Sequence, residues 1–223
     1  RSLPSSCRPK GWVGLIYCFE ERTMDVTIST STGGTFASSN TRQTVSSLKR
    51  EARILYQETG TPRANVYLDE KNTQRETATA RTSCTGGLKP TPPDRTVTGT
   101  VEDKAESKGT GEDAVSASFA FDPETGEISL AFEIPGLVAT STVSHIETNQ
   151  GLCNPADNGT RTTPGASFSQ PYEKSQMSVT AVAARGLDTV RGSKTIDLSP
   201  GVAITNTSLS HQARVSWAFY RVD

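Results

Sequence analysis

A period-two alternation on both sides of one turn constrains this chain more than any other feature. In VSASFAF (115–121), Val115, Ala117, Phe119 and Phe121 alternate with small polar residues. In EISLAFEI (127–134), Ile128, Leu130, Phe132 and Ile134 do the same. DPETG lies between them. Successive side chains of a strand point to opposite faces, so this pattern around Asp-Pro…Gly predicts an antiparallel hairpin with one buried face. Weaker versions recur in GWVGLIYCFEE (11–21), MDVTIST (24–30), ANVYLDE (64–70), RETATARTSC (75–84), TVTGTVEDKAE (96–106), LVATSTVSHIET (137–148), MSVTAVAA (177–184), KTIDL (194–198), GVAITNT (201–207) and HQARVSWAFYRV (211–222). The chain reads as all-β, an antiparallel β-sandwich or partly closed barrel of about 9–12 strands. Trp12 and Trp217 open and close it, and the first and last strands are expected to pair or pack together.

Four stretches carry weaker expectations. Over 45–58, Val45, Leu48, Ala52 and Leu55 fit a helical face, whereas Leu48, Ala52, Ile54 and Tyr56 fit a strand face. Neighbouring strands favour the second reading, with one short helix as the alternative. KNTQ (71–74) reads as a hairpin turn and SKGTGED (107–113) as a loop, which leaves the polar stretch 96–106 as an edge strand. GLKPTPPDR (87–95) holds three prolines and cannot sit inside a sheet. It marks a candidate subdivision of what is otherwise a single domain, 1–223.

Composition narrows the function classes. Hydrophobic residues make up 33% of the chain and the net charge is −1. Ser and Thr together make up roughly a quarter, above ordinary globular usage. The charges are interspersed without a basic stripe, which argues against nucleic acid. No apolar run has the length of a helical membrane span. The chain begins at Arg1, as after removal of a leader or trimming.

The four cysteines, Cys7, Cys18, Cys84 and Cys153, are widely spread. An even count with no C-x-x-C pair argues against zinc and for two disulfides in an oxidising compartment. Of the three connectivities, Cys84–Cys153 with Cys7–Cys18 is the preferred one. The longer loop would stabilise by about 4 kcal/mol and the shorter by about 3 kcal/mol in the chain-entropy account.

GWVGLIY (11–17), Cys84, EISLAFEIPGL (127–137), Cys153 and RVSWAFY (214–220) form a sparse set of anchors along most of the chain. In this the chain resembles a loose group of uncharacterised, Ser/Thr-rich secreted or periplasmic bacterial proteins. The resemblance implies an all-β fold and a periplasmic, cell-surface or secreted location. It implies no activity. Those relatives carry a Cys near the C-terminus. This chain ends YRVD and has Cys18 in its first strand instead.

No catalytic constellation stands out. His145 and His211 are the only histidines, and there is no H-x-H or H-E-x-x-H. Glu20, Glu21, Glu127 and Glu133 are the candidates for a paired-carboxylate site. DPETGE (122–127) has calcium-like acidity, but a hairpin turn accounts for it. Asn158 and Asn206 head N-x-[ST] sequons. Neither a cofactor nor a metal is expected. Trp12, Tyr17, Trp217 and Tyr220 read first as core aromatics, with a candidate binding surface on one sheet face as the alternative. The expectation is a non-enzymatic extracytoplasmic bacterial protein, binding a protein or glycan partner or serving an envelope assembly. The alternatives are a carboxylate glycosidase acting on envelope polysaccharide and a secreted inhibitor presenting a disulfide-held loop at 154–172.

Overall fold

The first four strands are far longer than the sequence segments that announce them. A computed structural model of the chain describes residues 11–33, 37–82, 95–182, 188–199 and 206–222. β1 (Gly11–Thr32), β2 (Ser38–Gln57), β3 (Arg63–Thr82) and β4 (Arg95–Ala114) form an up-and-down meander. β5 (Ala117–Phe121) and β6 (Glu127–Ile134) form the expected hairpin, and β7 (Leu137–Gln150) returns beside β4. A 3-10 turn at Pro155–Asp157 precedes β8 (Gly159–Thr163) and β9 (Ser167–Tyr172). These two line successive parts of the same edge of β7. β10 (Ser175–Val182), β11 (Thr189–Asp197) and β12 (Thr207–Val222) complete the chain.

Two antiparallel sheets result. The large one runs β11-β12-β1-β2-β3-β4-β7, then β8 and β9, and does not close into a barrel. The small one runs β10-β6-β5. The first and last strands pair from Gly11↔Val222 onward, as expected. The stretch 45–58 lies within a strand, and the 3-10 turn is the only helical element among the described residues. KNTQ and SKGTGED lie inside β3 and β4 rather than in turns. β4 is flanked by β3 and β7, so the 96–106 stretch is not an edge. Residues 83–94, which hold all but the last residue of GLKPTPPDR, lie outside the described residues. The strands on either side of them pair from Thr82↔Arg95 to Arg63↔Ala114.

The core lies between the sheets. Ile128, Leu130, Phe132 and Ile134 of β6 are all at most 3% exposed, as the alternation requires. They pack with Ile16 and Cys18 of β1, Ala52 and Ile54 of β2, Val66 and Leu68 of β3, and Val215, Trp217 and Phe219 of β12. Phe119 stacks on Phe219, with ring centroids 3.9 Å apart. Trp12 meets Phe119 and Phe121 edge-on at 5.4 and 5.9 Å rather than Trp217. The turn of the hairpin is held by Asp122. Its carboxylate accepts the backbone N–H of Glu124 at 2.8 Å and the hydroxyl of Thr125 at 2.8 Å. Gly126 supplies the left-handed residue at φ +75°. The acidity of DPETGE is thereby explained without a metal.

The small sheet covers only half of the large one. Its eight-residue strands reach about 27 Å, whereas a strand of 20 residues or more spans roughly 70 Å. Burial follows that limit. β1 has no buried residue beyond Glu20, β2 is buried only from Ser46 onward, and β12 only from Ala213. Beyond this line β1, β2, β3, β4 and β7 continue as a polar sheet held by its hydrogen-bond ladder and by cross-strand hydroxyl pairs. Ser29–Thr41 at 3.2 Å, Thr77–Thr100 at 3.4 Å and Thr148–Thr160 at 3.0 Å are examples.

Candidate binding face on the large sheet

The titratable residues that could do chemistry are dispersed over different faces. Glu20 points inward from β1 and is 6% exposed. Arg50, its register partner on β2, donates Nε–H to it at 2.8 Å and an Nη2–H to Ser175 Oγ at 2.6 Å. His211 Nε2 lies 2.7 Å from the other oxygen of Glu20. Burial pushes the Glu20 carboxyl up, but Arg50 and His211 outweigh it and hold the group below its ordinary range. This cluster ties β12, β1 and β2 to the start of β10, where the small sheet ends. It is a lock with little room for a substrate.

Glu21 points the other way and pairs with Lys49 at 3.5 Å. Glu133 pairs with Lys174 at 3.0 Å, and Glu127 is exposed at the start of β6. The four candidate carboxylates therefore do not converge. His145 sits 2.7 Å from Asp103 in a half-exposed surface pair. No cluster of three or more metal-ligating side chains occurs among the described residues. The stretch 154–172 forms the 3-10 turn and the edge segments β8 and β9 along β7.

The cysteines correct one expectation. Cys18 is a free thiol at 0% exposure, 3.4 Å from the sulfur of Met177, so the Cys7–Cys18 bridge is not formed. The physical reason is parity. Cys18 alternates with Ile16 on the face that packs against the small sheet, where it behaves as a small hydrophobe. Burial pushes its pKa up to about 12. Cys153 is disulfide-bonded, while Cys7 and Cys84 lie outside the described residues.

The tryptophans and tyrosines of the candidate binding surface separate by the same parity. Trp217 is 4% exposed in the core, and Trp12 is partly buried beside it. Neither belongs to an exposed platform. Tyr17 and Tyr220 lie on the opposite, outer face of the large sheet. Cross-strand register assembles a larger surface around them. One rank runs Ala218–Leu15–Leu55–Arg63. The next runs Ser216–Tyr17–Arg53–Asn65, and the third Arg214–Phe19–Glu51–Tyr67. Leu15 is 41% exposed, Leu55 57%, Tyr67 43% and Tyr220 42%.

Arginines frame these rings. Arg53 lies over Tyr17 at 6.0 Å and Arg191 over Tyr220 at 5.6 Å, within cation–π range. The Tyr17 hydroxyl is raised above its usual pKa, first by burial, then by the negative charge of Glu51 and a hydrogen bond to it. An open groove of about 540 Å³ runs beside Tyr67, lined by Glu51, Arg53, Asn65, Thr110 and Glu112 among others. Leu55, Tyr67, Arg53 and Arg214 escape a sequence reading because each alternates with core residues in an ordinary strand pattern. Only register brings them together.

No family model matches the chain, and no curated protein sequence matches it. Among solved structures it is similar to the translocator domain of the autotransporter NalP from Neisseria meningitidis. The identity is 8%, 97% of this chain and 90% of that chain are covered, and the TM-score is 0.20.

Proposed function

We propose that this is a non-enzymatic docking protein of the bacterial cell envelope, acting in the periplasm, at the cell surface or after secretion. In this reading the outer face of its large sheet receives the partner. The observation that supports it is the outer-face surface of the exposed Leu15, Leu55, Tyr67 and Tyr220 with the half-buried Tyr17 and Phe19 between them, framed by arginines. Tyr and Arg are the side chains most enriched where binding energy concentrates, and contiguous exposed apolar surface marks interaction sites. The disulfide at Cys153 supports an oxidising compartment. We assign Cys84 as its partner. The dispersal of Glu20, Glu21, Glu127 and Glu133 disfavours the glycosidase alternative. The pairing of 159–172 along β7 disfavours a loop-presenting inhibitor.

Co-sedimentation with isolated bacterial envelope fractions tests the reading. The wild-type protein is expected to pellet with envelope material. A Leu55→Glu/Tyr67→Ser variant, altered only at exposed positions, is expected to stay in the supernatant with an unchanged melting temperature. A wild type that stays soluble, or a variant that pellets equally, refutes the docking face.

A further inference from the structure

We infer that the occupant of this face is a linear polysaccharide bearing carboxylate groups, an assignment that rests on the docking reading above. The first argument is charge. Arg63 is neutralised by Glu112 at 2.8 Å, while Glu51 stays in the balance as one carboxylate, since the neutral Tyr17 hydroxyl beside it cancels no charge. Arg53, Arg191 and Arg214 remain. All three are exposed, and none meets a carboxylate within salt-bridge distance among the described residues. Three guanidiniums against the single carboxylate of Glu51 leave the face with an excess of positive charge, which calls for an anionic guest. The guanidinium fork matches a carboxylate in two parallel hydrogen bonds.

The second argument is the surface between those charges. Tyr17 and Phe19 lie on β1 between Arg214 on β12 and Arg53 on β2. Tyr67 lies one strand beyond, on β3. From β12 to β3 is three strand spacings, about 14 Å, which is the reach of a short oligosaccharide rather than of one small molecule. A pyranose ring has one apolar C–H face and a rim of hydroxyls. Tyr67 supplies an exposed ring, and Asn65, Thr110, Glu51 and Glu112 around its open groove supply amide, hydroxyl and carboxylate partners for the rim.

An acidic protein is the competing class. The core of a protein interface is depleted in charge and holds its anchors in closed pockets. Here Arg53 and Glu51 occupy the middle of the face, and the groove is open. The ribbon of rings and charges fits a polyuronate better.

The test is affinity electrophoresis or calorimetry with three polymers. Alginate is a polyuronate, dextran has neutral rings, and poly-glutamate has carboxylates without rings. The wild type is expected to bind alginate, to ignore dextran, and to bind poly-glutamate far more weakly. Arg53→Gln, Arg214→Gln and Tyr67→Ala should each weaken alginate binding about tenfold or more. Arg75→Gln, on the same face in the polar half of the sheet, should leave it unchanged. Binding should fall as salt rises. Absence of alginate binding overturns the assignment. So does poly-glutamate binding of equal strength that is indifferent to Tyr67→Ala, which would point to an acidic polypeptide. If alginate fails while Leu55→Glu/Tyr67→Ser still abolishes envelope sedimentation, the polysaccharide assignment falls and the docking reading stands. If both fail, both fall.

Discussion

Replacing Arg50 by leucine would leave Glu20 as a buried carboxylate deprived of its guanidinium. Arg50 donates two hydrogen bonds to Glu20, at 2.8 and 2.5 Å, and a third to Ser175 at 2.6 Å. The Arg50 and Glu20 side chains are only 10% and 8% exposed. Breaking a buried pair by removing one partner costs about 3–5 kcal/mol, because the surviving charge stays desolvated. His211, 2.7 Å away, would remain and offset part of that cost. The expected destabilisation at pH 7 is therefore near the lower end, about 3 kcal/mol, or roughly 6–12 °C in Tm for a chain of this size.

The pH dependence carries the sign. In the wild type the Glu20 pKa is depressed, so its contribution is present above the unfolded carboxyl pKa of about 4.3 and is lost as pH falls through the lower folded value. In the variant, burial persists while the Arg50 attraction is gone, so the folded pKa of Glu20 moves upward and the group takes up a proton at higher pH. The gap between the two proteins should be widest near pH 7 and should shrink toward pH 4. Urea unfolding at both pH values, followed by tryptophan fluorescence, measures it. Combining Glu20→Leu with Arg50→Leu should recover most of the loss, since a well-packed apolar pair can replace a buried ion pair. A gap under 1 kcal/mol at pH 7, or one that does not change with pH, refutes the reasoning.

Further predictions concern the core and the cysteines. Trp217→Ala should cost about 3–5 kcal/mol in a thermal or urea melt. Trp217→Phe should cost about 1 kcal/mol or less, because the indole Nε1–H is buried without an acceptor and its removal relieves a desolvation penalty. A Tm shift under a degree or two for the alanine variant would return Trp217 to the surface. Gly192→Val places a Cβ 2.5 Å from the Trp217 ring and should cost about 1–3 kcal/mol by overpacking, read as a lower urea midpoint at unchanged slope. Cys18 should resist iodoacetamide at pH 8 in the native protein and react in denaturant, because its thiol is buried with a pKa pushed up to about 12. Non-reducing peptide mapping should return a Cys84–Cys153 bridge, and finding Cys153 as a free thiol would remove the argument for an oxidising compartment.

The all-β class, the β5–β6 hairpin with its Asp122-to-Gly126 turn, and the inward-facing residues of β6 and β12 could be read from local pattern. These were legible because one face of each strand is dry and the other wet, so the hydrophobic pattern alternates with period two. Trp217, Phe219, Leu130 and Phe132 could be assigned to the interior from that contrast alone. Where both faces are wet the contrast vanishes. The residues of β1 beyond Arg22, of β2 before Ser46, of β3 beyond Glu70 and of β4 before Ser107 have no buried face, even where Met24, Val26 and Ile28 keep an alternation. Any alternation there is weak, and KNTQ therefore resembles a turn, while SKGTGED resembles one because its inward positions after Ser107 are Gly109 and Gly111, packed close to Leu137. Their strand character comes from hydrogen bonding to neighbours whose positions the rest of the fold decides.

The same holds for Cys18, which the even cysteine count assigned to a bridge with Cys7 while its inward parity against Met177 made it a buried thiol. The candidate face follows the same logic. Arg214, Tyr17, Arg53 and Tyr67 each sit at an unremarkable outward position on a different strand. Their meeting is a property of the β12-β1-β2-β3 order and its register, and a local pattern carries no information about which strands, far apart in the chain, become neighbours.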